Sequence, residues 1–261
     1  MIILTAGHSP KNAPKEANKK FSFKSVIEKT VENSHKFGYK PVVYDLGNLG
    51  IGEPYSVQDD NFTNEGFYKE VKKGYQSKSL FKPEIVEDCL KKHQDFTVYV
   101  DGDAVLHDKI DEVVSDDYDI GVTLRRPSEL QGAWYDEYSD IAKFLNAGVI
   151  FFNPTPATLK FVEMWKHKTY EVENDQKALN LLACEDDYPE INSISVINGV
   201  RIKYFPGDQY NYYYFNEGLV PNIKIMHFKG NVRNFYPFDF LKNAYCKLVA
   251  PVEYKIRSLF N

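Results

Sequence analysis

A run of five β-favouring residues at positions 96–100 leads directly into Asp101-Gly102-Asp103. Such a run has the composition of a strand buried on both faces of a parallel sheet. Ligands of open α/β sheets bind beyond the carboxyl ends of the strands, so the two carboxylates are predicted to lie at a ligand-binding edge. Because side chains two positions apart point the same way, both can converge on one divalent cation. The alternative is a polar turn after a core strand, since Asp and Gly are common turn residues.

Length, charge and cysteine content narrow the class of protein. The 261 residues suffice for one large domain with a sizeable core. The 32 Lys and Arg residues are outnumbered by 37 Asp and Glu, a net charge of −5, so no basic footprint for nucleic acid is present. The three cysteines form no CxxC pair, which favours reduced thiols in an intracellular protein over a zinc site or a disulfide framework.

Membrane insertion is not predicted. No apolar run approaches the roughly 20 residues of a membrane helix, and residues 2–6 open directly as an apolar strand without a charged leader. We therefore expect a cytoplasmic protein with no integral membrane segment. Residues 238–261 are predicted to form a helical tail with four basic residues, and weak association with a membrane surface is its minority interpretation.

Strands and helices are predicted to alternate along the chain. Apolar runs bounded by turn residues predict strands at residues 2–6, 41–46, 96–100, 119–124, 200–205 and 223–226. Residues 145–152 are predicted to form a small-residue turn that merges into a further strand. Helical spacing and capping residues predict helices over residues 23–37, from Lys82 to at least Leu90, from Pro156 onward, and over residues 175–182. Neither GxGxxG nor GxxxxGKS occurs, so those modes of phosphate binding do not apply.

A second group of polar residues follows the predicted strand at residues 223–226. His227 could reach the same edge of the sheet as the aspartates, although a single histidine after a strand is more often structural. Two carboxylates and an imidazole form a mixed oxygen and nitrogen site that suits Mn²⁺ or Mg²⁺ better than Ca²⁺. Lys229 and Arg233 supply positive charge, and Gly230 permits close backbone approach, as a diphosphate requires.

Five motifs in this order resemble those of GT-A glycosyltransferases, most closely the retaining family typified by glycogenin and the lipopolysaccharide galactosyltransferases. The motifs are Asp101-Gly102-Asp103, the Asn-Ala-Gly-Val at residues 146–149, the Asp-Gln-Lys-Ala-Leu-Asn at residues 175–180, Tyr210-Asn211, and the His-Phe-Lys-Gly at residues 227–230. The resemblance runs from the first strand to Arg233. That arginine stands where the family has a lysine, and the family's Pro-Trp does not follow it.

The resemblance implies a role for each matching residue. It implies Mn²⁺ or Mg²⁺ ligation by Asp101, Asp103 and His227. It implies contacts to the donor from Lys229, Gly230 and Arg233 at the diphosphate, from Asn146, Ala147 and Gly148 at the sugar, and from Thr5, Ala6 and Tyr44 at a uracil base. It places Asp175 and Gln176 beside the reacting anomeric carbon and gives Lys82 a reach to the donor.

The resulting prediction is a single-domain α/β GT-A fold, with a mixed, mostly parallel sheet flanked by helices. Residues 1–237 would form the transferase domain, divided into a nucleotide-binding half at 1–125 and an acceptor half at 126–237, with the tail at 238–261 packed on it. The implied reaction moves a hexose from a nucleoside diphosphate sugar, expected to be a UDP-sugar, to a hydroxyl of a glycan, glycoprotein or glycolipid. The alternatives are a non-catalytic nucleotide-sugar-binding protein of the same fold and a sugar nucleotidyltransferase.

Two further features concern the acceptor. The aromatic residues at positions 210 and 212–215 are interpreted as a wall for sugar rings or, equally, as a Tyr-rich core edge. If the enzyme inverts configuration, a carboxylate must activate the acceptor, and the candidates are Asp175, Asp136 and Asp208. A retaining enzyme needs no such base.

Overall fold

A computed structural model describes residues 1–7, 23–45, 81–131, 143–215, 222–229, 232–233, 236 and 252. Three predictions fall wholly or largely outside these residues. They are the role of Gly230, the candidate base Asp136 and, apart from residue 252, the helical tail at 238–261. The division into donor and acceptor halves stays a prediction.

Nine strands and five helices are formed by the described residues. The strands are β1 (Ile2–Gly7), β2 (Lys40–Asp45), β3 (Thr97–Val100), β4 (Ala104–Leu106), β5 (Ile120–Leu124), β6 (Leu145–Phe152), β7 (Ile194–Ile197), β8 (Val200–Pro206) and β9 (Ile225–His227). The helices are α1 (Phe23–Phe37), α2 (Lys82–His93), α3 (Pro156–Val172), α4 (Asp175–Ala183) and α5 (Gly207–Tyr210). Strands β4 and β7 and the short helix α5 were not predicted.

Seven strands form one sheet in the order β2-β1-β3-β6-β5-β8-β7. β1 is parallel to β2 and β3, and β5 is parallel to β8, whereas β6 and β7 run antiparallel to their neighbours. The fold class is therefore as predicted, a mixed and mostly parallel sheet with helices. Because β6 is reversed, its beginning lies at the edge where β3 and β5 end.

The start of β6 is irregular where it runs beside β5. Val122 pairs with Ile150, but the next residue, Thr123, pairs with Asn146, so residues 147–149 are accommodated as a bulge. Such bulges commonly re-aim side chains beside functional sites. The Asn-Ala-Gly segment, which the sequence suggested was a turn before a strand, is thus the distorted first part of the strand itself.

Both faces of the sheet are buried. Leu4 of β1 belongs to a core cluster with side chains of α2, α3 and α4, whereas its neighbour Ile3 belongs to a cluster on the opposite face. This alternation follows from the period of two along a strand, and it explains why β3 reads as a continuous apolar run.

Local sequence signals set the beginnings of the helices that border the edge. Pro83 lies in the first turn of α2, where its missing N–H is tolerated. The α4 helix begins at its N-cap Asn174, whose side chain accepts a hydrogen bond of 2.8 Å from the Lys177 N–H. Lys82 and Asp175 are consequently fixed at helix starts. No helix of the described residues combines the length and the apolarity that crossing a membrane would need.

A second, two-stranded sheet pairs β4 with β9 in antiparallel fashion, with Ala104 opposite His227. The Phe228 N–H also donates to the Asp103 carbonyl at 2.8 Å. This pairing joins two segments separated by more than 120 residues. It places His227 next to Asp101 and Asp103.

The aromatic segment after α5 is mostly core. Tyr212 and Phe215 are completely buried, and Tyr210 and Tyr214 are 5% and 8% exposed. Of the predicted sugar-binding wall, only Tyr213 is partly exposed, so the core-edge interpretation describes the other four rings. The sequence alone does not show that the three tyrosines among them are buried, since tyrosine occurs both in cores and at surfaces.

Candidate active site

Asp101, Asp103 and His227 converge at the carboxyl end of β3. One potential ligand atom from each lies within 4.8 Å of the other two. The His227 Nε2 is 3.0 Å from Asp103 Oδ1 and 3.8 Å from Asp101 Oδ2. Asp103 and His227 are buried, whereas Asp101 is partly exposed, so the cluster opens on one side.

Cationic side chains hold the outer oxygens of both aspartates. The Lys82 ammonium lies 3.1 Å from Asp101 Oδ1, and Arg233 donates to Asp103 Oδ2 at 2.8 Å. The inner oxygens therefore stay directed toward His227. Burial alone would raise the pKa of Asp103, but His227 and Arg233 hold it well below its usual range. The carboxylate is thus kept ionised.

Lys82 links the aspartate cluster to α4. Its ammonium lies 2.7 Å from Asp175 Oδ2 and donates to the Ala147 carbonyl at 3.0 Å. Burial alone would lower the pKa of Lys82, but the charges of Asp101 and Asp175 raise it. Burial raises the pKa of Asp175, and the contact with Lys82 opposes that rise. The geometry is that of a buried ion pair, in which one lysine compensates two carboxylates.

Two glycines permit close approach at this edge. A β-carbon at Gly102 would lie 2.5 Å from the Ala6 carbonyl oxygen, and one at Gly148 would lie 2.4 Å from His227 Cε1. Both contacts are too short for any larger residue. Gly102 thus brings the Asp-Gly-Asp turn against the end of β1, and Gly148 lets the imidazole pack on the β6 bulge.

Asn146 has a donor without a partner. Its Oδ1 accepts a hydrogen bond of 3.0 Å from the Gly148 N–H. Its Nδ2 is buried and finds no hydrogen-bond partner among the described residues. Since buried polar groups are almost always paired, this donor is well suited to a ligand hydroxyl.

Gln176 is held by a residue to which the sequence gave no role. Arg125, at the end of β5, donates to Gln176 Oε1 at 3.3 Å and lies 3.4 Å from a Glu129 carboxylate oxygen. Glu129 also accepts hydrogen bonds from the hydroxyls of Tyr213 and Tyr214. The only sequence signal for Arg125 was its position after a predicted strand.

Lys229 lies over the Tyr213 ring, with its nitrogen 3.2 Å from the ring centroid. Burial, together with the nearby Arg125 guanidinium, lowers the pKa of Lys229 to about 7. Glu129, Asp103 and Asp101 oppose this lowering. A diphosphate bound beside Lys229 would likewise favour its charged form.

The residues predicted to hold the base occupy the end of the first two strands. Thr5, Ala6 and Tyr44 are all buried, and Ala6 pairs with Tyr44. The Ala6 carbonyl lies against Gly102, so β1 reaches the cluster. Tyr44 lies within the core, and its hydroxyl donates to Asp88 of α2. Its predicted contact with a base stays a prediction.

The chemistry of the cluster fits a divalent cation. Two carboxylate oxygens and one imidazole nitrogen are ligands that Mn²⁺ accepts. A separation of about 3 Å between ligand atoms is that of adjacent ligands in an octahedral site with bonds of about 2.1 Å, and His227 Nε2 and Asp103 Oδ1 show it. The outer oxygens are already occupied by Lys82 and Arg233, which leaves the inner atoms for an ion.

A mixed α/β sheet with an Asp-Gly-Asp turn and a late histidine at its edge defines the GT-A class of sugar-nucleotide transferases. The sequence comparison agrees, since residues 52–234 match the model of the nucleotide-diphospho-sugar transferase family. This match covers more than half of the chain, and the chain belongs to that family. It is a glycosyltransferase with a nucleotide-sugar donor, as predicted. No curated protein sequence matches it.

Solved structures support the fold. A glycosyltransferase involved in the glycosylation of the major capsid of PBCV-1 superposes with a TM-score of 0.51 at 15% identity, covering 89% of this chain and 96% of that one. The galactosyltransferase LgtC, in complex with donor and acceptor sugar analogs, superposes with a TM-score of 0.50 at 14% identity, covering 99% and 96%. At such identities the likeness concerns the fold.

Proposed function

We propose that this enzyme is a metal-dependent hexosyltransferase that uses a UDP-sugar and retains the configuration of the anomeric carbon. The observation that carries the proposal is the convergence of Asp101, Asp103 and His227, with their inner ligand atoms within 4.8 Å of one another. These three residues would hold Mn²⁺ or Mg²⁺. The ion would supply positive charge for the diphosphate leaving group.

The residues around the cluster have distinct roles in this proposal. Lys229 and Arg233 add positive charge beside the departing diphosphate, where electrostatic stabilisation of the transition state is strongest. Asn146 Nδ2, a buried donor that has no partner among the described residues, binds a hydroxyl of the donor sugar. Ala147 and Gly148 line the same bulge. Thr5, Ala6 and Tyr44 at the ends of β1 and β2 are proposed to lie beside the base.

Retention is supported by the ion pairs that Asp175 and Asp208 form. In an inverting enzyme one of them would remove the acceptor proton. Asp175 instead lies 2.7 Å from the Lys82 ammonium, and Asp208 is paired with Arg126, so neither described candidate is a free base. We propose that Asp175 and Gln176 stabilise the positive charge that develops on the sugar. The bond from the anomeric carbon to phosphate breaks, the acceptor oxygen bonds to the same face, and its proton passes to the diphosphate.

The acceptor is proposed to be a hydroxyl of a glycan, glycoprotein or glycolipid. The galactosyltransferase LgtC was crystallised with an acceptor sugar analog, which makes a sugar hydroxyl the first class to test. The partly exposed Tyr213 is the described ring best placed to face it.

Hydrolysis of a panel of UDP-, GDP- and ADP-sugars tests the proposal. We expect turnover of a UDP-hexose with Mn²⁺ or Mg²⁺, loss of turnover in excess chelator, and the same loss in Asp103→Ala. Asp186→Asn is the matched control, because that aspartate is fully exposed. Full activity in chelator would refute the metal site. Proton NMR of the first-formed product should show the donor's anomeric configuration, and an inverted anomer would refute retention.

A further inference from the structure

Asn211 lies directly behind the proposed metal ligand His227. It is completely buried, and its Oδ1 lies 2.8 Å from His227 Nδ1. His227 Nε2 is on the opposite side of the ring and faces Asp103 Oδ1 at 3.0 Å. The two nitrogens of the imidazole therefore have different partners, and the partner of Nδ1 decides which nitrogen can bind a cation.

The orientation of the Asn211 amide follows from its other contacts. Its Nδ2 donates to Thr123 Oγ1 at 2.9 Å and to the Asn146 carbonyl at 3.4 Å. The Thr123 hydroxyl proton is directed to backbone carbonyls, those of Asn146 at 3.0 Å and Val149 at 3.3 Å. Thr123 Oγ1 can thus only accept from Asn211. A flipped amide would place its oxygen against a carbonyl and against a hydroxyl oxygen whose proton is already in use.

With the amide fixed, Asn211 Oδ1 must accept a hydrogen bond from His227. Nδ1 therefore carries a proton, and Nε2 is the nitrogen that is left to bind a metal. Backbone hydrogen bonds hold the two segments side by side. The Tyr212 N–H donates to the Ile225 carbonyl at 3.0 Å, and the His227 N–H donates to the Tyr212 carbonyl at 2.7 Å. Thr123, which accepts from this amide, lies where the register between β5 and β6 shifts.

We infer that Asn211 is a positioning residue, which holds His227 in the tautomer and ring orientation required of a metal ligand, and that Thr123 orients Asn211. The inference rests on the proposed metal-dependent function. Residues that orient a metal-binding histidine typically account for 10- to 100-fold in metal affinity. Because His227 is the only one of the three ligands to which the Asn211 side chain is hydrogen-bonded, its effect on the metal should pass through that ring.

The first test is a spectroscopic measurement on the wild-type protein. Nitrogen-15 NMR of histidine-labelled enzyme without metal, assigned with His227→Gln, should show that the neutral ring carries its proton on Nδ1. A neutral ring protonated on Nε2 would overturn the inference. Since no metal is added, this result does not depend on the proposed function.

The second test measures Mn²⁺ affinity by calorimetry. Asn211→Leu should raise the dissociation constant 10- to 100-fold and change the His227 tautomer signal. Asn211→Asp keeps the acceptor and should bind Mn²⁺ more tightly than the leucine variant. Asn153→Leu is the control, because that buried amide donates to the Ser115 and Tyr118 carbonyls away from the cluster, and it should leave the affinity unchanged.

The outcomes separate the two proposals. Unchanged affinity and an unchanged tautomer signal in Asn211→Leu would overturn the role of Asn211. Failure of the wild-type protein to bind Mn²⁺ would overturn the metal site, while the NMR measurement would still decide whether Asn211 fixes the tautomer. If Asn211→Leu does not fold, Asn211→Asp and the wild-type spectrum decide.

Discussion

At Gly148 the site has no room for even one methyl group. A β-carbon there would lie 2.4 Å from His227 Cε1 and 3.1 Å from Asn146 Oδ1. His227 is 3% exposed and is held on both nitrogens, so it cannot move aside without losing a hydrogen bond. The glycine is required by this close approach rather than by its backbone conformation.

Gly148→Ala should therefore weaken Mn²⁺ binding by at least 10-fold, as the loss of a histidine's orientation does, besides the roughly 1–3 kcal/mol cost of overpacking. Gly121→Ala is the matched control, because its β-carbon would meet Phe205 at 2.6 Å in the core. It should lower stability in chemical denaturation and leave Mn²⁺ affinity unchanged. Equal effects of the two variants on affinity would show that Gly148 acts through stability alone.

Lys82 is the residue on which the charge balance of the site depends. It is 7% exposed and lies within 3.1 Å of Asp101 and 2.7 Å of Asp175. Lys82→Met removes the compensation of two carboxylates, so we expect a loss of about 3–5 kcal/mol, the scale for breaking a buried pair. Urea denaturation measures it.

Lys166→Met provides the comparison. Lys166 pairs with Glu87 between α3 and α2, where both side chains are partly exposed. The expected loss is about 1 kcal/mol or less. A similar loss in the two variants would mean that solvent screens the Lys82 pairs as well.

At the scale of elements, the N-cap of α4 fixes the position of Asp175 and Gln176, the first two residues of that helix. The Asn174 side chain accepts from the Lys177 N–H at 2.8 Å, and the Thr155 cap of α3 makes the equivalent bond to Thr158 at 3.1 Å. Asn174→Ala should cost about 1 kcal/mol, and Thr155→Ala should cost more, because that hydroxyl also donates to Asp119. Only Asn174→Ala should also lower kcat, because only α4 carries the residues proposed to face the sugar. A lower kcat in Thr155→Ala as well would contradict this assignment.

The elements that the sequence predicts correctly are those with local signals. Apolar runs marked β1, β3 and β5, Pro83 marked the start of α2, and Asn174 marked the start of α4. Each of these depends on residues within a few positions of one another. Strand β7 escaped prediction because its exposed Ile194 and Val196 alternate with half-buried residues at the sheet edge, so it lacks the continuous apolar run of the central strands.

The parts that escaped prediction depend on contacts between distant segments. The reversal of β6 follows from its pairing with both β3 and β5. The β4–β9 pairing sets the distance from Asp103 to His227. Both strands are too short for a hydrophobic periodicity that would predict this pairing from the sequence. The sequence could name both residues from motif resemblance, but not that Arg125 holds Gln176 or that Asn211 faces His227, because those bonds span 51 and 16 residues.

At the scale of the whole molecule, Asp119 connects β5, β8 and α3 at the end of β5 opposite the active site. Its carboxylate accepts from the backbone N–H of Arg201 in β8 at 2.9 Å and from the Arg201 guanidinium at 3.0 Å. It also accepts from the Thr155 hydroxyl at the start of α3 at 2.9 Å. The side chain is 4% exposed, so protonation in the folded state would leave these donors poorly satisfied.

Asp119 should therefore make stability depend on acid. Burial alone would raise its pKa, but the hydrogen bonds from Arg201 and Thr155 hold the pKa below its usual value. The unfolded chain then binds a proton more readily than the folded one, so the free energy of unfolding rises with pH across this window. The contribution is complete above the unfolded pKa of about 3.9 and is lost as pH falls through the lower folded value.

Asp119→Asn should be less stable than wild type at pH 7, and the difference should shrink below about pH 4. Denaturation curves from pH 7 to about pH 2.5 measure the free energy of unfolding of each protein, with Asp186→Asn as the exposed control. If the stabilities of wild type and Asp119→Asn fall in parallel as the pH is lowered, the Asp119 carboxylate is not the source of the acid dependence.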